Sequence, residues 1–367
     1  MNPYTPQVLP LDGIDWATHV TLIGRANAAL ARYDGMLQSI VNPAVLLSPL
    51  TTREAVLSSR IEGTQASMEE VLRYEADSRE PMEASRIADI TEIINYRKAM
   101  DHAVESLKTR PCCLNLVKEL HFILLDSVRG RNKARGEFRR TQNYIGRPGD
   151  PIEKASFVPP VWEDVEPSMG AWERYLHADE KDRLVQLAVV KAQFELIHPF
   201  LDGNGRLGRM LVPIFLFEKG LLSSPMFYMS EYLERNRDTY YDRLQALSRE
   251  DAWNGWIAFF LRGLMEQAAA NTAKTRKILD LYERMKQRIP EIVRSQYVVQ
   301  AIDALFDRPI FHSSDFIARS KVPRDSALRI LKDLKRNGVI RDIRPASGRQ
   351  AAVVIFHELI DIVEENV

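Results

Sequence analysis

Residues 198–209, HPFLDGNGRLGR, hold an imidazole and a carboxylate within a few positions of each other. His198 could take a proton as a general base, and Asp202 could hold Mg²⁺ against phosphate oxygens. Pro199 disfavours the α conformation in the residue before it, so a preceding helix should end at His198. The sequence therefore predicts a base and a metal ligand facing one phosphorus centre, at the end of a helix.

The glycines and arginines of the same segment favour an anion site. Gly203 and Gly205 let backbone N–H groups approach a ligand closely, and the N-terminus of a following helix adds a partial positive charge. Arg206 and Arg209 share a helix face, so both can reach one polyphosphate. The segment is not a Walker A loop and lacks the strand and spacing of a dinucleotide fingerprint. A helix boundary that happens to collect polar residues is the alternative interpretation.

Two helices are predicted to position this segment. The stretch KDRLVQLAVVKAQFELI, directly before His198, has the periodicity of an amphipathic helix. A second helix is predicted within GNGRLGRMLVPIFLFEKG, closed by Lys219 and Gly220. Pro213 should kink this second helix, because it removes one backbone hydrogen bond. The motif is therefore expected in the loop between two packed helices.

The composition excludes several classes of protein. Fifty basic and fifty acidic residues give the 367-residue chain no net charge, so nucleic acid or anionic lipid could be attracted only by local patches. The most apolar windows are too short to span a bilayer, and the N-terminus carries no secretion signal. Cys112 and Cys113 are adjacent, which suits neither a disulfide framework nor a zinc site. We therefore expect a cytoplasmic protein with no membrane partner.

Helical periodicity interrupted by Gly and Pro divides the chain into four parts. We predict an N-terminal helical region at 1–110, a catalytic core at 111–270, a connecting helix at 271–289 and a C-terminal domain at 290–367. Within the core, RRTQNYIGRPGDPIEKASFVPP is rich in Gly, Pro and β-branched or aromatic residues. That composition predicts a β-hairpin or an extended flap.

The N-terminal region contains two candidate helix starts. In TTREAVLSSRIEG, Thr51 and Glu54 have the spacing of a capping box, and Gly63 supplies a stop. Ser67 and Glu70 have the same spacing. We therefore expect one helix that ends near Gly63 and another that begins after Ser67.

The segment HPFLDGNGRLGR matches every fixed position of the Fic family motif, His-x-Phe-x-Asp/Glu-Gly-Asn-Gly-Arg-x-x-Arg. The resemblance extends over residues 1–270 and includes GEFR at 136–139 and the FVPP that ends the flap. It implies a mainly α fold, with a Fic-type helical core and a β-hairpin flap. Most Fic proteins move AMP from ATP to a Ser, Thr or Tyr hydroxyl of a protein and release pyrophosphate. Related kinases of the Doc type have Lys where this chain has Gly205, so the resemblance implies nucleotidyl transfer.

The resemblance also implies roles for individual residues. His198 resembles the base that accepts the proton of the target hydroxyl, Asp202 the ligand of Mg²⁺ or Mn²⁺, and Phe200 the anchor of the loop. Ser248 stands where some relatives have an adenine-binding Asn. The implied nucleotide contacts come from the flap, the motif and a later helix: Phe157, Val158, Asp202, Gly203, Asn204, Gly205, Arg206, Leu207, Gly208, Arg209, Tyr240 and Tyr241.

The segment SSRIEG resembles the inhibitory Fic motif, Ser/Thr-x-x-x-Glu-Gly/Asn, through Ser58, Glu62 and Gly63. A carboxylate in the last turn of a helix opposes the helix dipole, so Glu62 should benefit from a cationic partner. The resemblance implies that this partner is Arg209 and that the pair keeps the ATP γ-phosphate from its productive position. A solvated helix-end glutamate is the alternative.

Residues 290–367 are predicted to form a winged helix-turn-helix domain. SSDFIARSKVPRDSALRILKDLKRNGVI would supply the helices, and RDIRPASGRQAAVVIF two strands around a Ser-Gly turn. From Arg319 to Arg349 there are ten Lys or Arg against three Asp, an excess suited to phosphate contacts. Asp325 and Asp333 interrupt the basic residues of the recognition helix, so protein docking remains the alternative to DNA binding.

Taken together, the sequence predicts an autoinhibited protein adenylyltransferase that uses ATP and Mg²⁺. Its expected partners are a protein with a hydroxyl side chain, the protein itself through self-modification, DNA through the C-terminal domain, and a second copy in a homodimer. Removal of AMP by the same site is a further expectation from the resemblance. The competing hypothesis is a DNA-binding regulator whose Fic core only senses nucleotide.

Overall fold

Helices form most of the protein, which we describe from a computed structural model covering residues 2–127, 129–146, 149, 151–346 and 352–365. The N-terminal half of the chain contains α1 (Trp16–Ser39), α2 (Pro43–Leu46), α3 (Ser48–Ile61), α4 (Met68–Ala76), α5 (Ala84–Ser106), α6 (Leu114–Leu124) and α7 (Val165–His177). Next come α8 (Arg183–Ile197), α9 (Asn204–Glu218), α10 (Ser230–Arg235), α11 (Arg237–Glu250) and α12 (Trp253–Ile292). The last part contains α13 (Val298–Asp307), β1 (Ile310–His312), α14 (Ser313–Ser320), α15 (Arg324–Arg336), β2 (Arg341–Arg344), β3 (Val353–Ile355) and α16 (His357–Glu364).

Helices α8 and α9 lie at the centre, since nearly every residue of both is buried. The side chain of Asp182 caps α8 by accepting from the N–H groups of Leu184 and Val185. The helix ends at Ile197, as the position of Pro199 predicts. Pro213 lies within α9 without ending it. The two predicted helices therefore pack against each other with the motif loop between them.

Helix α3 begins earlier than predicted. Thr51 and Glu54 do not form a capping box, because Pro49 in the first turn favours a start at Ser48. The Thr51 hydroxyl instead lies 2.9 Å from the hydroxyl of Tyr228. The predicted end of the helix is confirmed, since Gly63 adopts a φ of +100° directly after the cap.

The second capping box is confirmed. The N–H of Glu70 donates to the Ser67 hydroxyl at 3.2 Å, and the N–H of Ser67 donates to the Glu70 carboxylate at 2.7 Å. Both contacts start α4, which follows α3 after a short turn.

The flap has less regular structure than a β-hairpin. One antiparallel bridge joins Ile145 and Phe157, and a short 3₁₀ turn covers Ile152–Lys154. Prolines that lack an N–H donor interrupt further pairing in the described part of this segment. Arg147, Pro148 and Asp150 lie outside the described residues.

The predicted connecting helix at 271–289 is not a separate element. It is the C-terminal part of α12, which continues from Trp253 to Ile292 and packs along α1. The boundary drawn at residue 270 therefore falls inside one helix. None of the helices that the structure describes is both long and apolar enough to cross a membrane.

The C-terminal domain contains the three helices expected from its sequence, α13, α14 and α15. A three-stranded antiparallel sheet with the order β1-β3-β2 packs beside them. Strand β1 and helix α16 are additions that the sequence did not predict. The Ser-Gly turn expected at 347–348 lies outside the described residues, and the winged-helix assignment stays a prediction.

Helix α3 also contacts the C-terminal domain. The Arg53 guanidinium donates to the carbonyl oxygens of Val363 and Glu365 at the end of α16, and pairs with Glu231 at 2.9 Å. Lys274 of α12 donates to the same two carbonyl groups. Cations at a helix C-terminus complement its dipole, so α3 and α12 together hold α16 in place.

Candidate active site

A cavity of about 650 Å³ opens between α8, α9, α11 and the flap. Its size is that of a small-molecule or nucleotide pocket. Eight of the residues singled out in the sequence meet here, together with others that were not. The lining includes Glu62, Phe157, Glu195, His198, Gly205, Arg209, Tyr240, Tyr241, Gln245 and Ser248.

His198 follows the last residue of α8 in a left-handed conformation, with φ 49° and ψ 61°. Its Nδ1 lies 3.3 Å from the carbonyl oxygen of Glu195. Because a carbonyl only accepts, Nδ1 carries the hydrogen and Nε2 is left as the acceptor. Burial lowers the pKa of His198. The imidazole is therefore neutral near pH 7 and chemically able to accept a proton.

The motif loop is held by its own side chains. Asn204 accepts from the N–H of Phe200 at 2.9 Å and donates to the Phe200 carbonyl at 2.8 Å. Gly203 adopts a φ of +76°, a conformation that favours glycine, and α9 begins directly after it. The first N–H groups of α9 have no carbonyl partner within the helix. These N–H groups are the donors that the predicted anion nest would use.

Asp202 stands at the edge of the loop, with its side chain 43% exposed. Its Oδ1 accepts from the N–H of Gly203 at 2.6 Å and lies 3.5 Å from a nitrogen of Arg206. The described residues contain no cluster of three or more metal-ligating side chains. One exposed carboxylate beside an anion nest nevertheless fits Mg²⁺, which commonly takes its remaining ligands from phosphates and water.

Arg206 does not line the cavity. It is buried and pairs with Glu92 of α5 at 2.7 Å. The sequence did not point to Glu92, which lies more than a hundred residues before its partner. Arg206 is therefore paired with an acidic residue and lies next to Asp202. A clamp on a phosphate would instead need an unpaired guanidinium that faces the cavity.

Arg209 is bound by the end of α3 through Nε and Nη2. Its Nη2 donates to the Glu62 carboxylate at 2.6 Å and to the Ser58 carbonyl at 2.9 Å, and its Nε donates to the Ser58 hydroxyl at 2.8 Å. Burial acts to raise the pKa of Glu62, but the charge and hydrogen bond of Arg209 outweigh it and hold the pKa below its usual value. Glu62 likewise outweighs burial and keeps the pKa of Arg209 raised. Both groups are therefore charged at neutral pH.

The far end of the cavity is aromatic. Tyr240 and Tyr241 lie with their ring centroids 5.2 Å apart. Beneath them, the buried ammonium group of Lys191 donates to the Tyr240 hydroxyl at 2.8 Å and to Glu195 at 3.1 Å. The sequence reasoning missed both Lys191 and Glu195. They lie one turn apart on α8, the helix that ends directly before His198.

Other residues named from the resemblance lie away from the cavity lining. Val158 is buried, and its carbonyl accepts from the N–H of Tyr4 at 2.9 Å. Leu207 and Gly208 are buried within α9.

Comparison with known proteins indicates the family of this chain. Residues 20–105 match the Fic/DOC family N-terminal domain, and residues 111–216 match the Fic/DOC family domain. The chain belongs to the Fic/DOC family.

Curated relatives of this Fic/DOC chain include proteins named "Protein adenylyltransferase Fic". The one from Drosophila grimshawi is 29% identical over 248 residues, which cover 64% of this chain and 44% of the relative. The one from Culex quinquefasciatus is 29% identical over 231 residues, covering 60% of this chain and 39% of the relative. The chain thus spans less than half the length of these relatives.

Solved structures share the fold of this Fic/DOC chain. A Fic family protein from Desulfovibrio desulfuricans aligns with a TM-score of 0.57 and 17% identity, covering 97% of this chain and 98% of that one. A Fic domain-containing signalling protein from Bacteroides thetaiotaomicron aligns with a TM-score of 0.53 and 16% identity, covering 69% of this chain and 96% of that one. The likeness to the first structure therefore includes the C-terminal domain.

The close approach of Glu62 to Gly205 gives a stability test. A Cβ at Gly205 would overlap the Glu62 carboxylate and lie 3.1 Å from Arg209 Nη1. Gly205→Ala should therefore displace Glu62, whereas in a Glu62→Gly background the same methyl group has space. We expect a coupling energy of about 1 kcal/mol between the two substitutions in a double-mutant cycle of urea unfolding.

Gly170→Ala in α7 is the matched control, because a Cβ there meets only an ordinary contact with Arg174. The effect of Gly170→Ala on the free energy of unfolding should add to that of Glu62→Gly. Additive effects of Gly205→Ala and Glu62→Gly would contradict the described position of the Glu62 carboxylate.

Proposed function

We propose that the protein is an adenylyltransferase that moves AMP from ATP to a Ser, Thr or Tyr hydroxyl of a protein, with release of pyrophosphate. The observation that carries the proposal is His198, whose imidazole lines a nucleotide-sized cavity and has Nε2 free as an acceptor. The names of the curated relatives support the same activity.

In the proposed reaction, the target hydroxyl gives its proton to His198 Nε2 as its oxygen bonds to the α-phosphorus of ATP. The bond between that phosphorus and the bridging oxygen breaks, and pyrophosphate leaves with the bonding electrons. The N-terminus of α9 stabilises the negative charge. A Mg²⁺ ion held by Asp202 would neutralise phosphate charge when bound. Positioning and charge neutralisation supply most of the acceleration in such a transfer.

The two motif arginines have different proposed roles. Arg209 lines the cavity and would clamp the β- and γ-phosphates once Glu62 withdraws. Arg206 pairs with Glu92 and lies beside Asp202, so we assign it to orienting the metal ligand. This assignment differs from the phosphate clamp that the family resemblance implies.

The adenosine would occupy the aromatic end of the cavity, against Tyr240, Tyr241 and Ser248. Gly205 supports AMP transfer over the kinase reaction, because the related kinases of the Doc type have Lys at this position. The flap, through Phe157, would align an extended segment of the target by strand addition. Self-modification and removal of AMP are parts of the same proposal, as are the cytoplasmic location and the homodimer expected from the sequence.

We further propose that Glu62 and Ser58 act as a brake, because they occupy the donors of Arg209 that a γ-phosphate would need. Replacing Glu62 frees those donors. We expect Glu62→Gly to raise the rate of AMP transfer by about 5- to 150-fold, the range of a coupling of 1–3 kcal/mol. The measurement is labelling of protein by ATP labelled in the α-phosphate, in the presence of Mg²⁺.

His198→Ala in the Glu62→Gly background is the control for this labelling, and it should abolish the signal. Equal labelling with and without Glu62 would rule out the brake. Labelling that survives the loss of His198 would rule out its role as the base.

A second candidate function, DNA binding, is favoured by one surface of the C-terminal domain. Helix α15 exposes Arg324, Arg329, Lys332 and Arg336, and no carboxylate among the described residues forms an ion pair with any of them. Unpaired cations along one helix face suit phosphate contacts. This function is compatible with the enzyme, although a regulator without transfer activity remains the competing hypothesis.

Fluorescence anisotropy with duplex DNA over a range of salt concentrations tests this surface. Replacing both Arg329 and Lys332 with Ala should lower the slope of log affinity against log salt by about 2, because two phosphate contacts are lost. Lys335→Ala is the matched control, since Lys335 already pairs with Asp342 at 2.6 Å. An unchanged slope in the double variant would exclude α15 as the DNA-binding face.

A further inference from the structure

Two buried side chains outside the motif donate hydrogen bonds to its backbone. His121 of α6 contacts the carbonyl of Asp202, and Arg139, at the end of GEFR, contacts the carbonyl of His198. We propose that His121 and Arg139 are positioning residues with separable roles: His121 fixes the metal ligand and Arg139 fixes the base. The inference rests on the proposed function, and it gives roles in that function to two residues that lie outside the cavity lining.

The hydrogen bonds of His121 determine its tautomer. Its Nδ1 accepts from the N–H of Gly136 at 2.9 Å, so the hydrogen must be on Nε2, which lies 3.1 Å from the Asp202 carbonyl. The ring stacks on Phe200 with centroids 3.8 Å apart and planes inclined by 12°. One side chain thus holds both the anchor of the loop and the residue proposed to bind Mg²⁺.

Arg139 is a buried cation without a carboxylate partner. Among the described residues its guanidinium meets only carbonyl oxygens, those of His198 at 3.0 Å, Thr141 at 3.3 Å, Pro160 at 2.5 Å and Ile197 at 3.5 Å. Its own N–H donates to the Pro199 carbonyl at 2.9 Å. Burying a charge in this way is costly, and the hydrogen bonds offset only part of the cost. Two of the five contacts of Arg139 go to Thr141 and Pro160 of the flap segment. The other three go to the turn at His198, namely those with Ile197, His198 and Pro199.

That turn requires support. His198 has a positive φ, which is unfavourable for a residue with a side chain. The last carbonyl groups of α8 also lack partners within the helix. Arg139 satisfies the carbonyls of Ile197 and His198 together, and so holds the imidazole where α8 ends.

The two roles predict different kinetic defects. Loss of the His121 contacts lets the Asp202 backbone move, which should weaken binding of the metal and leave the base in place. Loss of Arg139 contacts lets His198 move, which should slow proton transfer and leave metal binding unchanged. If either residue had a purely structural role, its replacement would lower the stability of the protein and would impair metal binding and proton transfer alike.

The experiment uses the full chain in a Glu62→Gly background. His121→Phe keeps the stacking but removes both hydrogen bonds, and His121→Asn keeps a donor and an acceptor. Arg139→Lys keeps the charge with fewer donors. The matched controls are His177→Phe, which removes a similar contact with the Cys112 carbonyl, and Arg183→Lys, which removes one with the Ala178 carbonyl, both remote from the motif.

We expect His121→Phe to raise the Mg²⁺ concentration for half-maximal AMP transfer about 10- to 100-fold, with partial recovery in His121→Asn. We expect Arg139→Lys to lower kcat about 100-fold at saturating Mg²⁺ and ATP. The two controls should leave both parameters unchanged. Equal changes in both parameters, or no change in either, would overturn the proposal.

Two readouts do not depend on activity. Calorimetry should show that His121→Phe weakens ATP binding in the presence of Mg²⁺ but not in its absence. The NMR signal of the His198 ring should shift in Arg139→Lys and not in Arg183→Lys. If Glu62→Gly itself transfers no AMP, the proposed function fails, and these two readouts still decide whether His121 and Arg139 position the loop.

Discussion

The buried guanidinium of Arg209 is the constraint on which the rest of the site depends. Only 2% of its side chain is exposed, and its acceptors are the Glu62 carboxylate, the Ser58 hydroxyl and the Ser58 carbonyl. If Glu62 withdrew alone, the buried Arg209 cation would be left without an anion at a large cost in free energy, so the arrival of another anion favours the withdrawal of Glu62. The γ-phosphate of ATP would be that anion in the proposed reaction. The inhibited and active states would then differ in the negative group that contacts Arg209, which is the Glu62 carboxylate in the first and the γ-phosphate in the second.

The position of Glu62 is in turn determined by how α3 packs. On one side Glu54 accepts from the N–H of Ser230 at 3.0 Å and from its hydroxyl at 2.6 Å, and burial raises the pKa of this carboxyl to about 7. On another side Arg53 contacts the end of α16. The N-terminal region, the catalytic core and the C-terminal domain therefore meet at α3. Because α3 is held on both of these sides, Glu62 directly after it meets Arg209 with little freedom.

The sequence predicts those parts of the site that depend on local rules. Pro199 ends α8 and Gly203 precedes α9, because each restricts or permits backbone conformations whatever the surroundings. Long-range partners follow no such rule. Glu92 and His121 reach the motif only after α5 and α6 have packed around it, so their spacing in the sequence carries no signal. Arg139 was marked only by the likeness of GEFR to the family, which gave it no role. The pair of Glu62 and Arg209 was expected solely because SSRIEG resembles a known motif.

Local rules also fail where tertiary packing competes with them. Thr51 and Glu54 have the spacing of a capping box, yet both side chains bond to residues near α10 instead. The flap has the composition of a hairpin, but its prolines leave a single described bridge. The boundary at residue 270 was placed by composition, whereas α12 continues through it because its apolar face packs on α1 and then on α13.

The most direct test of the central claim compares the affinities of ATP and ADP by calorimetry in two proteins. If Glu62 occupies the γ-phosphate clamp, the wild-type protein should bind ATP no more tightly than ADP. Glu62→Gly should then bind ATP more tightly than ADP by about tenfold or more, which corresponds to about 1.4 kcal/mol gained from Arg209. The same ratio of affinities in both proteins would contradict the account.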